Sequence, residues 1–188
     1  MKKGVFLPFL IALLAGCGGV KVLDKQPWPN PPIDERYIYE SVSATSKDMQ
    51  TAIDKATQIA MENISKKVEA YVRSFTKLAR EETGANEDAE FIQHFMSVSK
   101  TVAALILSNL QVVKKDVGYG TKDKSYYRAY VLLRFPMYKY KERLLNEIKN
   151  REILYTRFRT TRAYKELEEE IKKYQEYKEK EKRSLLGE

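Results

Sequence analysis

Tyr126 to Phe135 (YYRAYVLLRF) is the stretch from which the fold can be read. Its residues alternate at the period of a β-strand. Tyr127, Ala129, Val131, Leu133 and Phe135 fall on one face, and Tyr126, Arg128, Tyr130, Leu132 and Arg134 on the other. Aromatic and β-branched side chains suit a pleated surface. Pro136 ends the strand because it has no N–H to donate. Upstream, Leu110 to Asp116 (LQVVKKD) reads as a second strand, and Gly118, Gly120 and Thr121 to Ser125 supply a turn or short loop between the two.

Before these strands the period changes to that of helices. Phe91, Phe95, Val98, Val102, Leu105 and Ile106 form one apolar stripe, on a helix that begins near Asn86 or Asp88. Ile53, Ala56, Ala60, Ile64, Val68, Tyr71, Phe75 and Leu78 form a longer one, with Ser46 and Asp48 as N-cap oxygens and Thr83-Gly84 as its end. Tyr37 to Ser43 (YIYESVS) is a further short strand. The expectation is an α+β body over residues 37–136, ordered β-α-α-β-β, with a small antiparallel sheet and both helices on one face.

Downstream, Met137 to Ser184 contains neither glycine nor proline. As one helix it would be about 72 Å long. Residues 137–188 are therefore expected to be a long, charged helical extension, with Asn150 and Thr160-Thr161 as places for a break. Ile153, Thr160, Tyr164, Leu167, Ile171 and Tyr174 lie near a heptad-like seam, diluted by Arg157 and Lys178. The seam suits a partner or a second copy; it equally suits a solvated helix that touches the body with its first turns. Arg157, Arg159, Arg162 and Lys165 stand beside Tyr155, Phe158 and Tyr164, a combination able to make an anionic contact with phosphate-bearing lipid or nucleic acid, or simply to form a solvated face.

The N-terminal end carries a different signal. Lys2 and Lys3 precede the eleven-residue apolar run Val5 to Ala15, which is short of the roughly 20 residues a membrane span requires. Leu14-Ala15-Gly16-Cys17 follows the pattern of a lipobox: small residues for signal-peptidase recognition, then a thiol that receives a diacylglyceryl group. Cys17 is the only cysteine, so no intramolecular disulfide forms, and lipidation gives it a use. No other cofactor is expected. Removal of residues 1–16 takes Lys2 and Lys3 with it, leaving 172 residues and lowering the formal charge from +8 to +6. Residues 17–36 then form a lipidated tether rich in proline (Pro27, Pro29, Pro31 and Pro32). Extended, it reaches on the order of 60 Å. Trp28 sits among these prolines, suited to local packing or to a docking contact.

An exported lipoprotein with a Pro-rich tether, a strand and an alanine-spaced helix (Ala52, Ala56, Ala60) resembles the LPP-twenty lipoprotein family. The resemblance lies in Asp54-Lys55-Ala56-Thr57-Gln58-Ile59-Ala60, the helix around Phe91 to Leu107 and the strand Tyr127 to Leu132. That family is similar to flagellar outer-membrane and basal-disk lipoproteins. It implies a non-enzymatic structural or adaptor role, as a homo-oligomer or with an envelope protein partner. Gly18, where inner-membrane retention would use aspartate, resembles the outer-membrane pattern, so the expected location is lipid-anchored to the outer membrane and facing the periplasm.

No catalytic residue and no metal site is expected. His94 is the lone histidine, and the sequence contains no H-E-x-x-H, G-x-S-x-G or P-loop. Glu81, Glu82, Glu87 and Asp88 cluster between the helices, where capping explains carboxylates better than a cation does. The positive charge permits anionic lipid or cell-wall polymers as partners; export argues against nucleic acid. The alternative function is a periplasmic binding module for peptidoglycan or anionic envelope lipid that works through the basic C-terminal helix.

Overall fold

The computed structural model describes residues 27–28, 33–83, 89–110, 112–119 and 125–186. The described chain runs β1 (Tyr37–Ser46), α1 (Met49–Thr83), α2 (Ala89–Leu107), β2 (Val112–Tyr119), β3 (Tyr127–Pro136), α3 (Met137–Lys149), α4 (Glu152–Phe158) and α5 (Arg162–Leu186). The strands form one antiparallel sheet in the order β1-β3-β2. Helices lie on one side of it, so the fold is the expected α+β body ending in a long helix.

β3 is central because both its faces are apolar. Ala129, Val131, Leu133 and Phe135 are buried towards the helices, and Tyr130 and Leu132 are buried on the other face. Val42 of β1 and Lys115 of β2 flank Val131. β2 is an edge strand, and its irregularity between Val112 and Lys114 and its paired lysines are devices that discourage edge pairing. The turn expected from Gly118 begins later. Gly118 and Tyr119 still pair with Arg128 and Tyr127, and the rings of Tyr119 and Tyr127 stack at 4.9 Å.

Asp48 caps α1, accepting hydrogen bonds from the Thr51 backbone N–H (2.7 Å) and hydroxyl (2.8 Å). The buried face of α1 is Ala52, Ala56, Ala60, Ile64, Val68, Val72, Phe75 and Ala79. Ile53, Tyr71 and Leu78, expected on this stripe, lie at its margin. The alanines let the first half of the helix approach the sheet closely. Past them, Asn63 and Lys67 hydrogen-bond Glu40 near the start of β1. The second half runs beyond, into an aromatic cluster. Phe75 meets Phe95 at 5.7 Å and Phe158 at 6.0 Å, and Tyr71 meets Tyr140 edge-on at 5.9 Å. Within this cluster the Tyr140 phenol and Ser99 hydroxyl are buried side by side, neither in full hydrogen-bond geometry with a protein group. Burial pushes the phenol up to about 12, and Ser99 offsets part of that rise.

The segment expected as a single extension from residue 137 belongs to this same core. Met137, Tyr140, Leu144, Leu145, Ile148, Leu154, Phe158, Ala163, Tyr164 and Leu167 are buried within the one cluster. The segment breaks at both foreseen places, around Asn150 and Thr160-Thr161. The breaks fold the chain back on itself, so that α4 and α5 return against α1 and α3, where one unbroken helix of about 72 Å would outrun the core. Thr161 closes the second break: its buried hydroxyl donates to the Phe158 carbonyl (2.7 Å) and accepts from the Tyr164 N–H (3.1 Å).

Phe158→Ala is expected to destabilise the protein by about 3–5 kcal/mol in chemical denaturation, the cost of a large core aromatic. A loss under about 1 kcal/mol would show α4 to be an appendage.

Candidate functional site

Cys17, Leu14, Ala15 and Gly16 lie outside the described residues, as do Gly84, Asn86, Glu87 and Asp88. The other residues singled out in the sequence are placed as follows. Arg157 is on α4, Arg159 follows it, Arg162 opens α5 and Lys165 comes one turn later; all four are exposed. Of their aromatic neighbours, Phe158 and Tyr164 are buried in the core, and Tyr155 is half-buried with the Arg159 guanidinium 5.9 Å from its ring. Carboxylates are interleaved with the cations. Arg162 holds Glu166 at 2.7 Å, Arg157 shares a groove with Glu90 and Glu152, and Lys165 shares one with Glu168 and Glu169. The cluster is therefore a mixed-charge face.

The turn carboxylates serve the fold. Glu82 accepts a hydrogen bond from the Ala163 N–H at 3.0 Å, capping α5 from the end of α1, and Glu81 pairs with Lys77 at 3.7 Å. His94 is exposed on α2, 3.8 Å from Glu90. Among the described residues no group of three His, Cys, Asp or Glu side chains is placed to hold a metal. None of the described helices is long and apolar enough to cross a membrane.

The densest polar and aromatic construction lies where the N-terminal segment enters the body. Asp34 and Arg36 form a fork, with the guanidinium Nε on Oδ1 and Nη2 on Oδ2, both at 2.7 Å. The Arg36 backbone N–H adds a bond at 3.0 Å and the Tyr37 N–H donates to the Asp34 carbonyl at 2.9 Å. Asp34 is held below the usual carboxylate range, chiefly by the Arg36 side chain. The same guanidinium lies over the Tyr177 ring of α5 at 4.0 Å. Beside it, Tyr37 meets Tyr138 edge-on at 5.6 Å, and Tyr138 stacks on Tyr174 at 3.9 Å. Burial, then the bond with Tyr138, raises the Tyr174 phenol above its ordinary value. Arg134 lies 4.9 Å from the Tyr37 ring. This latch joins the entering chain to both α3 and α5. Lys141–Glu170 and Lys149–Glu168 ion pairs extend the α3–α5 seam, and Tyr164 also donates to Glu168. The heptad-like seam of the C-terminal segment is thus spent on the body: Tyr164 and Leu167 are buried and Tyr174 half-buried, while Ile153 stays exposed.

On the other side of Tyr37 is a groove of about 640 Å³ between the end of α2 and the start of α3. Leu105, Val112 and Val113 form its apolar wall, and Arg134, Lys139 and Arg143 are its charged groups. Sequence reasoning missed this set. The i,i+4 spacing of Lys139 and Arg143 is visible in the chain, but only the fold brings Arg134 and the apolar wall to them.

Asp34→Asn is expected to loosen α5 from the entry point, increasing amide exchange around residues 174–177 while costing less than about 1 kcal/mol of global stability, as befits a half-exposed pair. The lowered carboxyl sets the pH sign. The contribution of Asp34 is complete above the unfolded value of about 3.9 and is lost as pH falls through the lower folded value. Protection of the latch amides, taken relative to their intrinsic exchange rate at each pH, should therefore fall in acid in the native chain and stay flat with pH in the variant.

Comparisons with family models, with curated proteins and with solved structures find no match to this chain.

Proposed function

We propose that the chain is a lipid-anchored envelope protein, held on the outer membrane through Cys17 and serving a structural or adaptor role in an envelope or flagellum-associated assembly. The observation that carries this reading is Leu14-Ala15-Gly16-Cys17 at the end of a short apolar run, followed by a proline-rich tether. More than one long acyl chain on that thiol gives stable anchoring. The disposition of the body supports the role. Glu81, Glu82 and Thr161 are spent on ion pairs and caps, and α5 beyond Tyr177 is exposed along its whole length. Leu185 and Leu186, 83% and 66% exposed, give that end two apolar side chains for a partner to cover.

Mass spectrometry of the protein extracted from membranes should find an N-terminal Cys17 carrying acyl lipid, and Cys17→Ser should abolish membrane retention. An unmodified Cys17, or unchanged retention of the variant, would sink the anchor. Light scattering then tests the role. The informative comparison is the mature chain with and without residues 178–188, whose removal leaves the buried core residues in place. A defined oligomer or a co-purifying envelope protein lost with that end supports the adaptor role; a monomer without partners in both forms counts against it.

A further inference from the structure

We infer that the groove between the end of α2 and the start of α3 receives the headgroup and upper acyl chain of an anionic phospholipid, so that the anchored body rests on the bilayer by this face. The inference depends on the lipid-anchor reading and deepens it by naming the contact surface.

Charge singles the groove out. Arg134, Lys139 and Arg143 line it together with no carboxylate. Each neighbouring groove mixes signs: Arg36, Lys141 and Lys173 face Glu35 and Glu170 in one, and Arg151 and Arg157 face Glu90 and Glu152 in another. Arg134 is positioned by the Tyr37 ring and lies within electrostatic range of Asp34, a carboxylate already gripped by Arg36. Among the described residues, no carboxylate forms an ion pair with Lys139 or Arg143.

The apolar wall identifies the kind of anion. Leu105 is 41% exposed, and Val112 and Val113 are each 38% exposed. A small soluble anion would engage the cations and leave these side chains wet. An amphiphile with a negative head uses both, and cations near an anionic surface attract it. Place agrees with chemistry. Tyr37, the first residue of β1, lines the groove, so it opens beside the point where the N-terminal segment enters the body. A tether running from a membrane-bound Cys17 reaches the body beside the groove.

The test uses the mature lipidated chain, purified from membranes and reconstituted in vesicles of phosphatidylcholine alone or mixed with phosphatidylglycerol. Val113→Cys carries a polarity-sensitive thiol dye. The emission should shift to the blue in phosphatidylglycerol vesicles and not in pure phosphatidylcholine. The shift should disappear at about 0.5 M salt, where screening is nearly complete within a few Å. It should also disappear in R134Q/K139Q/R143Q, with an unchanged circular dichroism spectrum, and persist in R157Q/R159Q/R162Q. No shift, an equal shift in both vesicles, survival in the groove variant, or equal loss in the Arg157 set would each overturn the assignment. Inorganic phosphate alone giving the same shift would do so too, by showing a small-anion site. The protein without Val113→Cys is the control for the anchor. If Cys17 is acylated it takes up no dye; dye uptake would overturn the anchor and this proposal with it, whereas failure of the shift alone overturns only the groove.

Discussion

A long helix over a short sheet sets the terms for the rest of this molecule. α1 has 35 residues and spans about 52 Å, while ten-residue strands such as β1 and β3 reach only about 33 Å. The sheet can cover the alanine half of the helix and no more. Val68, Val72, Phe75 and Ala79 would be left in water unless other elements covered them. α2 covers one flank, and α3, α4 and the first turns of α5 close the remainder, with Phe95, Tyr140 and Phe158 filling the space. What reads as a charged tail is thus the second half of the core.

The parts legible in the sequence are those governed by a single local period. β3 is a run rich in aromatic and aliphatic residues closed by Pro136, and the capping group of α1 is the expected Asp48. The stripe on α1 was less legible because its two halves are covered from different directions, which moves burial from Ile53, Tyr71 and Leu78 to Ala52, Val72 and Ala79. Beyond Pro136 the apolar residues are sparse among Lys and Glu. Ala163, Tyr164 and Leu167 reach the core because the breaks fold the chain back, and those breaks use a threonine cap and an extended Arg151 where glycine or proline would have been conspicuous. Charge was legible in number but not in arrangement. The arginines adjacent in sequence are interleaved with carboxylates, whereas the single-sign groove is assembled from β3 and α3 beside an apolar wall from α2 and β2.

The latch around Asp34, Arg36 and Tyr177 links this architecture to the proposed anchoring. The incoming chain is fixed to β1, α3 and α5 at one point, so tension on the tether is carried into the core at both chain ends. The exposed end of α5 beyond Tyr177 starts at this latch, and under the proposed anchoring it is the surface left for a partner.

The central claim is that α1 and the C-terminal helices form one cooperative unit. Native-state hydrogen exchange of the mature chain under increasing denaturant tests it directly. The account predicts that core amides of α1 around Val72 to Ala79 and those of α3 around Leu144 to Ile148 open together, with the same free energy and the same denaturant dependence. If the α3 amides open at a markedly lower free energy while those of α1 stay protected, the C-terminal helices are an accessory to a core that the sheet and the first two helices complete on their own.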